Sequence, residues 1–156
     1  MKKTVPMSSA IGIDIVEIKR LEKISRRWGK PFLNKVYTKR ELDYSNQKRF
    51  PYQHLAARFA AKEAIFKALG EVETNFVGWR NVEILNDANG KPVVHWHGDA
   101  EKSRKKRNIR DVVVSLSHTE NYAVASAMLS AKWLATGSNN PNPAKRVGQS
   151  KENLCP

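Results

Sequence analysis

Residues 51–70, PYQHLAARFAAKEAIFKALG, constrain the fold more than any other stretch of the chain. They read as one helix. Pro51 suits the first turn, where its missing N–H has no intrahelical partner to lose, and Gly70 suits the stop just past the end. Good helix formers lie between them. Ala60, Ala64 and Ala68 keep one stripe of this helix small, so another backbone or a ligand can approach it closely.

Before this helix, residues 11–18 (IGIDIVEI) alternate as a strand does. Ile11, Ile13 and Ile15 share one face. Asp14 lies on the other, the face that a one-sided strand ordinarily turns to water. A helix follows with apolar positions Ile18, Leu21, Ile24 and Trp28, ending ahead of Pro31. Thr38-Lys-Arg-Glu41 is a capping-box pattern for a short second helix. After Gly70 the chain turns to strands at Asn81–Leu85 and Pro92–Trp96, joined by a turn at Asp87–Gly90. Asp111–Ser117 and Tyr122–Leu129 read as a hairpin around His118-Thr-Glu-Asn121. The class is α+β, an antiparallel sheet packed with helices. The 156 residues suffice for one domain, expected over 10–135. Residues 1–9 form an N-terminal extension. Residues 136–156, rich in turn formers and without periodicity, read as a disordered tail.

Charge is the unusual feature of composition: 28 basic against 15 acidic residues, a net of +13. An anionic partner is expected: nucleic acid, an acidic protein, a membrane surface or a phosphorylated ligand. Nothing reaches the ~18–20 apolar residues of a membrane span. Asp14 and Glu17 break the first apolar stretch, so it is no signal peptide. The single cysteine, Cys155, permits neither an intrachain disulfide nor a cysteine-rich zinc site. A cytoplasmic location is expected.

Three places carry residues suited to chemistry. Asp14 is an acid within an apolar strand. Lys62, Glu63 and Lys67 lie on the long helix, Glu63 and Lys67 in the favourable acid-first i,i+4 order of a surface ion pair. Ser115-Leu-Ser117-His118 ends a β-branched strand. P-loop, Rossmann and nucleophile-elbow signatures are absent. Two carboxylates from separate elements can hold one Mg²⁺, which keeps its other positions for water and phosphate oxygens. Lysine and histidine can neutralise further phosphate charge. The outline is a metal-assisted phosphate-transfer site.

In this order the three places resemble one family. Gly12-Ile-Asp14-Ile-Val-Glu-Ile-Lys-Arg20 is similar to the opening motif of holo-acyl-carrier-protein synthases. Arg58-Phe-Ala-Ala-Lys62-Glu63-Ala-Ile-Phe-Lys67-Ala-Leu-Gly70 is similar to their central motif, and Ser115-Leu-Ser117-His118 to their closing one. Asn89-Gly-Lys-Pro92 matches a loop common in the family. The likeness covers about residues 10–130.

The resemblance implies the 4′-phosphopantetheinyl transferase fold. It implies transfer of phosphopantetheine from coenzyme A to a serine of an apo acyl carrier protein, in support of fatty acid biosynthesis. Asp14 and Glu63 would ligate Mg²⁺, and Lys67 would stabilise the leaving phosphate. Lys62, Lys67, Ser117, His118 and Arg58 would bind coenzyme A, with His118 and Arg58 at its nucleotide end. The proton acceptor is either Glu63 or a metal-bound water near Asp14. The family's homotrimer, with active sites between subunits, is expected here too.

Residues 19–40 hold nine basic side chains against Glu22. The resemblance assigns this helix to an acidic carrier protein, with Arg20, Arg27 and Lys35 as contacts. Residues 101–111 are also basic, and the family does not account for them. A nucleic-acid-binding module would want aromatics among the basic residues. Trp28 alone sits there, at a position expected in the core. Another Mg²⁺-dependent phosphotransfer enzyme, such as a nuclease, would leave His118 and the basic helix unplaced.

Overall fold

The computed structural model describes residues 7–70 and 78–132. Five strands and four helices run in the order β1 (Met7–Glu17), α1 (Ile18–Val36), α2 (Lys39–Asn46), α3 (Pro51–Leu69), β2 (Val82–Asn86), β3 (Pro92–Trp96), α4 (Gly98–Lys106), β4 (Ile109–His118) and β5 (Tyr122–Lys132). A three-stranded antiparallel sheet has the order β1-β5-β4, and β2-β3 forms a separate hairpin. The expected tail lies outside the described residues. β1 begins at Met7, pairing with Lys132, so part of the expected N-terminal extension belongs to the sheet.

Helix α3 lies across the main sheet. Ala60, Ala61, Ala64, Ile65, Phe66 and Leu69 pack against Ala125, Ala127 and Leu129 of β5 and Val114 of β4. Its first half closes a second cluster with Ile18, Leu21, Val36 and Tyr37. The small stripe permits one very close approach. A Cβ built on Gly12 would stand 1.9 Å from the Ala64 carbonyl oxygen. Only glycine lets β1 lie this near the helix, and that nearness brings Asp14 to it.

The two faces of β1 are reversed from expectation. Ile11, Ile13 and Ile15 are 74%, 63% and 66% exposed, whereas Asp14 faces α3. The alternation predicted the strand, but the layer that covers this sheet packs on its polar-bearing side. Val113 and Met128 extend the exposed apolar face. Trp28 also departs from its expected core position: it is 59% exposed. The helix turns just after it, at Gly29 (φ 59°, ψ −147°), and Pro31 lies in the helical segment that resumes and ends at Val36. Ser25 takes the buried place one turn before. His118 is the last residue of β4 rather than part of the turn, and Lys102–Lys106 lie in α4.

Gly12→Ala should cost at least about 2 kcal/mol in urea unfolding, because backbone must move to admit the methyl group. Ser9→Ala, at an exposed position of the same strand, should change stability by less than about 0.5 kcal/mol.

Candidate active site

Asp14 projects from β1 toward the second half of α3. Lys67 Nζ donates to Asp14 Oδ1 at 2.7 Å and to the Ile13 carbonyl oxygen at 3.2 Å. Glu63 lies one turn before Lys67 and is half-buried. Burial, and then the negative charge of Asp14, raise its carboxyl pKa above the usual value, while Lys67 opposes the shift. The hydrogen bond with Asp14 in turn raises the Lys67 ammonium pKa. Two carboxylates and one ammonium therefore act on one another within a single chain.

This donor set suits magnesium. Mg²⁺ takes one or two carboxylates and leaves its other positions to water and phosphate oxygens. Among the described residues no group of three or more His, Cys, Asp or Glu side chains gathers for a metal. The pair Asp14 and Glu63 thus fits a shared, phosphate-completed ion better than an all-protein cage.

A second group forms nine residues earlier on α3, about 13 Å along the helix axis. Arg58 is buried and donates from Nε to the Ile84 carbonyl at 3.1 Å, from Nη1 to the His54 carbonyl at 3.2 Å and from Nη2 to Asn86 Oδ1 at 2.8 Å. Its guanidinium lies 4.2 Å from the Tyr44 ring centroid. His118, exposed at the end of β4, meets the His54 ring edge-on at 5.6 Å. A cavity of about 520 Å³ opens beside this group, lined in part by Arg40, Tyr44, Asn86 and His95.

Lys62 corrects an expectation. Its side chain is fully buried, and its three N–H groups go to the Val36 carbonyl (2.9 Å), Glu41 Oε2 (2.8 Å) and the Trp79 carbonyl (2.9 Å). An ammonium has three donors, so none remains for a phosphate. Burial lowers its pKa, against the opposing pull of Glu41. Arg58 is likewise buried and bound to protein groups. Ser117 is exposed on the face of Ile13 and Ile15, opposite to Asp14. Arg20, Arg27 and Lys35 are exposed along α1, with Lys19, Lys23 and Lys30.

Sequence reasoning missed Glu41, Tyr44 and His54. Glu41 was visible only as a capping residue, and it does cap Thr38; the same carboxylate also binds Lys62 and accepts from the Ile84 N–H. One signal was available. Arg58 and Lys62 lie on the helical row of Leu55, Ile65 and Leu69, which is the row that faces inward.

Comparison with known proteins shows the family to which this fold belongs. The sequence pattern of the 4′-phosphopantetheinyl transferase superfamily matches residues 10–127. A holo-[acyl-carrier-protein] synthase of Syntrophus aciditrophicus is 42% identical over 123 residues, 79% of this chain and 96% of that protein. The crystal structure of the Neisseria meningitidis holo-[acyl-carrier-protein] synthase aligns with TM-score 0.68 at 33% identity, covering 77% of this chain and 96% of the other. The Bacillus anthracis holo-(acyl-carrier-protein) synthase, solved in complex with CoA (3′,5′-ADP), aligns with TM-score 0.66 at 30% identity over 81% of this chain and all of the other.

In a carbon-13 NMR titration the Glu63 carboxyl should lose its proton above 4.5, the ordinary glutamate value. Asp14→Asn should lower that pKa and Lys67→Met should raise it. A shift of the opposite sign in either variant contradicts the arrangement.

Proposed function

The chain belongs to the 4′-phosphopantetheinyl transferase superfamily, and we propose that it acts there as a holo-acyl-carrier-protein synthase. It moves 4′-phosphopantetheine from coenzyme A to a serine hydroxyl of an apo acyl carrier protein, and the holo carrier serves fatty acid biosynthesis. The other product is adenosine 3′,5′-bisphosphate. One observation carries this reading: α3 presents an acid–ammonium cluster and, about 13 Å away, an arginine–histidine cluster. The first suits a pyrophosphate and the second the nucleotide end of the same molecule.

Asp14 and Glu63 would hold magnesium, which when bound supplies positive charge against the pyrophosphate oxygens. The serine oxygen forms the new bond to the phosphorus that bears pantetheine. The bond from that phosphorus to the oxygen of the adenosine bisphosphate breaks, and the electron pair leaves with the nucleotide. Lys67 stabilises the negative charge that develops there. Glu63, half-buried beside Lys67 and Asp14, takes the serine proton. His118 meets the nucleotide end from the solvent side, with Arg58 behind it.

Three copies associate through the face of Ile11, Ile13, Ile15, Val113 and Met128. A contiguous apolar face on a soluble domain marks an interaction site. Active sites then lie at subunit boundaries. The acidic carrier meets α1, where Arg20 and Arg27 lie along the exposed side of the helix and Lys35 near its end. Exposed Trp28, with the Arg27 guanidinium 5.4 Å from its ring centroid, adds an apolar contact to this basic surface.

The test is incubation with coenzyme A, Mg²⁺ and an apo carrier, read as the mass gain of one phosphopantetheine group. Failure on every carrier, with a control synthase working, overturns the reading. Glu63→Ala should lower transfer at least about a hundredfold while leaving the circular dichroism spectrum and melting cooperativity intact. Reversing charge at Arg20 and Arg27 together should slow capture of the carrier, and added salt should shrink the difference from wild type. Unchanged kinetics at low salt would remove α1 from the docking surface.

A further inference from the structure

His118 stands at an exposed strand end, and among the described residues no hydrogen bond holds its ring. What its ring does touch is His54, edge-on, with centroids 5.6 Å apart and planes at 73°. His54 in turn meets the Tyr44 ring edge-on at 5.9 Å. Tyr44 is covered by the buried Arg58 guanidinium at 4.2 Å, with Lys48 Nζ 4.5 Å from the same ring. Arg58 also binds the His54 carbonyl oxygen. A run of ring and cation contacts therefore leads from a fixed, buried side chain to an exposed imidazole.

We infer that His54 is a positioning residue, which orients the His118 imidazole at the nucleotide end of the coenzyme A site through ring contact. The inference rests on the coenzyme A reading above. An exposed histidine free to rotate loses rotamer entropy when a ligand fixes it. A ring wall that fixes it beforehand removes part of that cost. Burial comes first, followed by the positive charges of Arg58, His118 and Lys48, in lowering the His54 pKa. That lowering favours the uncharged form of the His54 ring. No reacting atom need touch His54.

The contact predicts a split between kinetic constants. His54→Ala should raise KM for coenzyme A roughly three- to tenfold, the size of the rotamer freedom that His118 would then lose on binding. The kcat and the KM for the carrier should stay as in wild type. His54→Phe keeps the ring and removes its nitrogens, and should restore the wild-type KM. In a His118→Ala background, His54→Ala should have no further effect on KM. The inference is overturned if His54→Ala leaves KM unchanged, or if the two histidine losses simply add. It is equally overturned if His54→Phe is as impaired as His54→Ala, because His54 would then bind the ligand through its nitrogens. Each of these results arises while the wild-type protein transfers normally. Absence of transfer by the wild type instead overturns the coenzyme A reading beneath it.

Discussion

The ion pair between Lys62 and Glu41 holds the parts of this protein in register. Both side chains are fully buried, 2.8 Å apart. Lys62 ties α3 to the end of α1 through Val36 and to the turn before β2 through Trp79. Glu41 caps α2 at Thr38 and accepts from the Ile84 N–H of β2. Three helices, β2 and the 3₁₀ turn Trp79–Asn81 thus meet at two charges. Such a pair adds little net stability compared with well-packed apolar side chains, but breaking it leaves an unpaired charge in the interior. Its value lies in specifying one arrangement. The next residue along α3 is Glu63, so the pair that orients the helix also orients the carboxylate beside it.

The close approach of Gly12 to Ala64 completes the alignment from the other side. The ion pair sets how α3 sits against α1, α2 and β2. The glycine contact sets how it sits against β1, and so whether Asp14 reaches Lys67. Arg58 and Lys67 then lie about 13 Å apart on a rigid rod. A phosphate-rich ligand of fixed length needs positive groups held at fixed spacing, and a single helix supplies that more rigidly than loops would. The net charge of +13 follows the same division. The basic surface of α1 faces outward, while the cations of α3 are fewer and held by neighbours.

The elements were legible in the sequence because their signals are local. Pro51 and Gly70 bound α3 as expected, the capping box at Thr38 forms, and the β4-β5 hairpin closes near the expected turn. Asp14, Glu63 and Lys67 were read as neighbours; Lys67 bonds to Asp14, and the charges of both act on the Glu63 carboxyl. What sequence left hidden depends on which layer covers which face. The isoleucine alternation identifies a strand but not its inner side, since that is decided by where α3 packs. Lys62 stands between residues of the central motif, yet its helical row faces the interior and its partner is 21 residues away. Tyr44, His54 and His118 come from three elements, so no spacing in the chain announces their contact.

The most direct test is a double-mutant cycle on the buried pair, with Lys62→Met, Glu41→Leu and the double variant followed by urea unfolding. The predicted result is a loss of about 3–5 kcal/mol in Lys62→Met. The double variant should lose at least about 2 kcal/mol less than the sum of the single variants. Additive losses, or a Lys62→Met protein as stable as wild type, would contradict the claim that this pair organises the fold around the site.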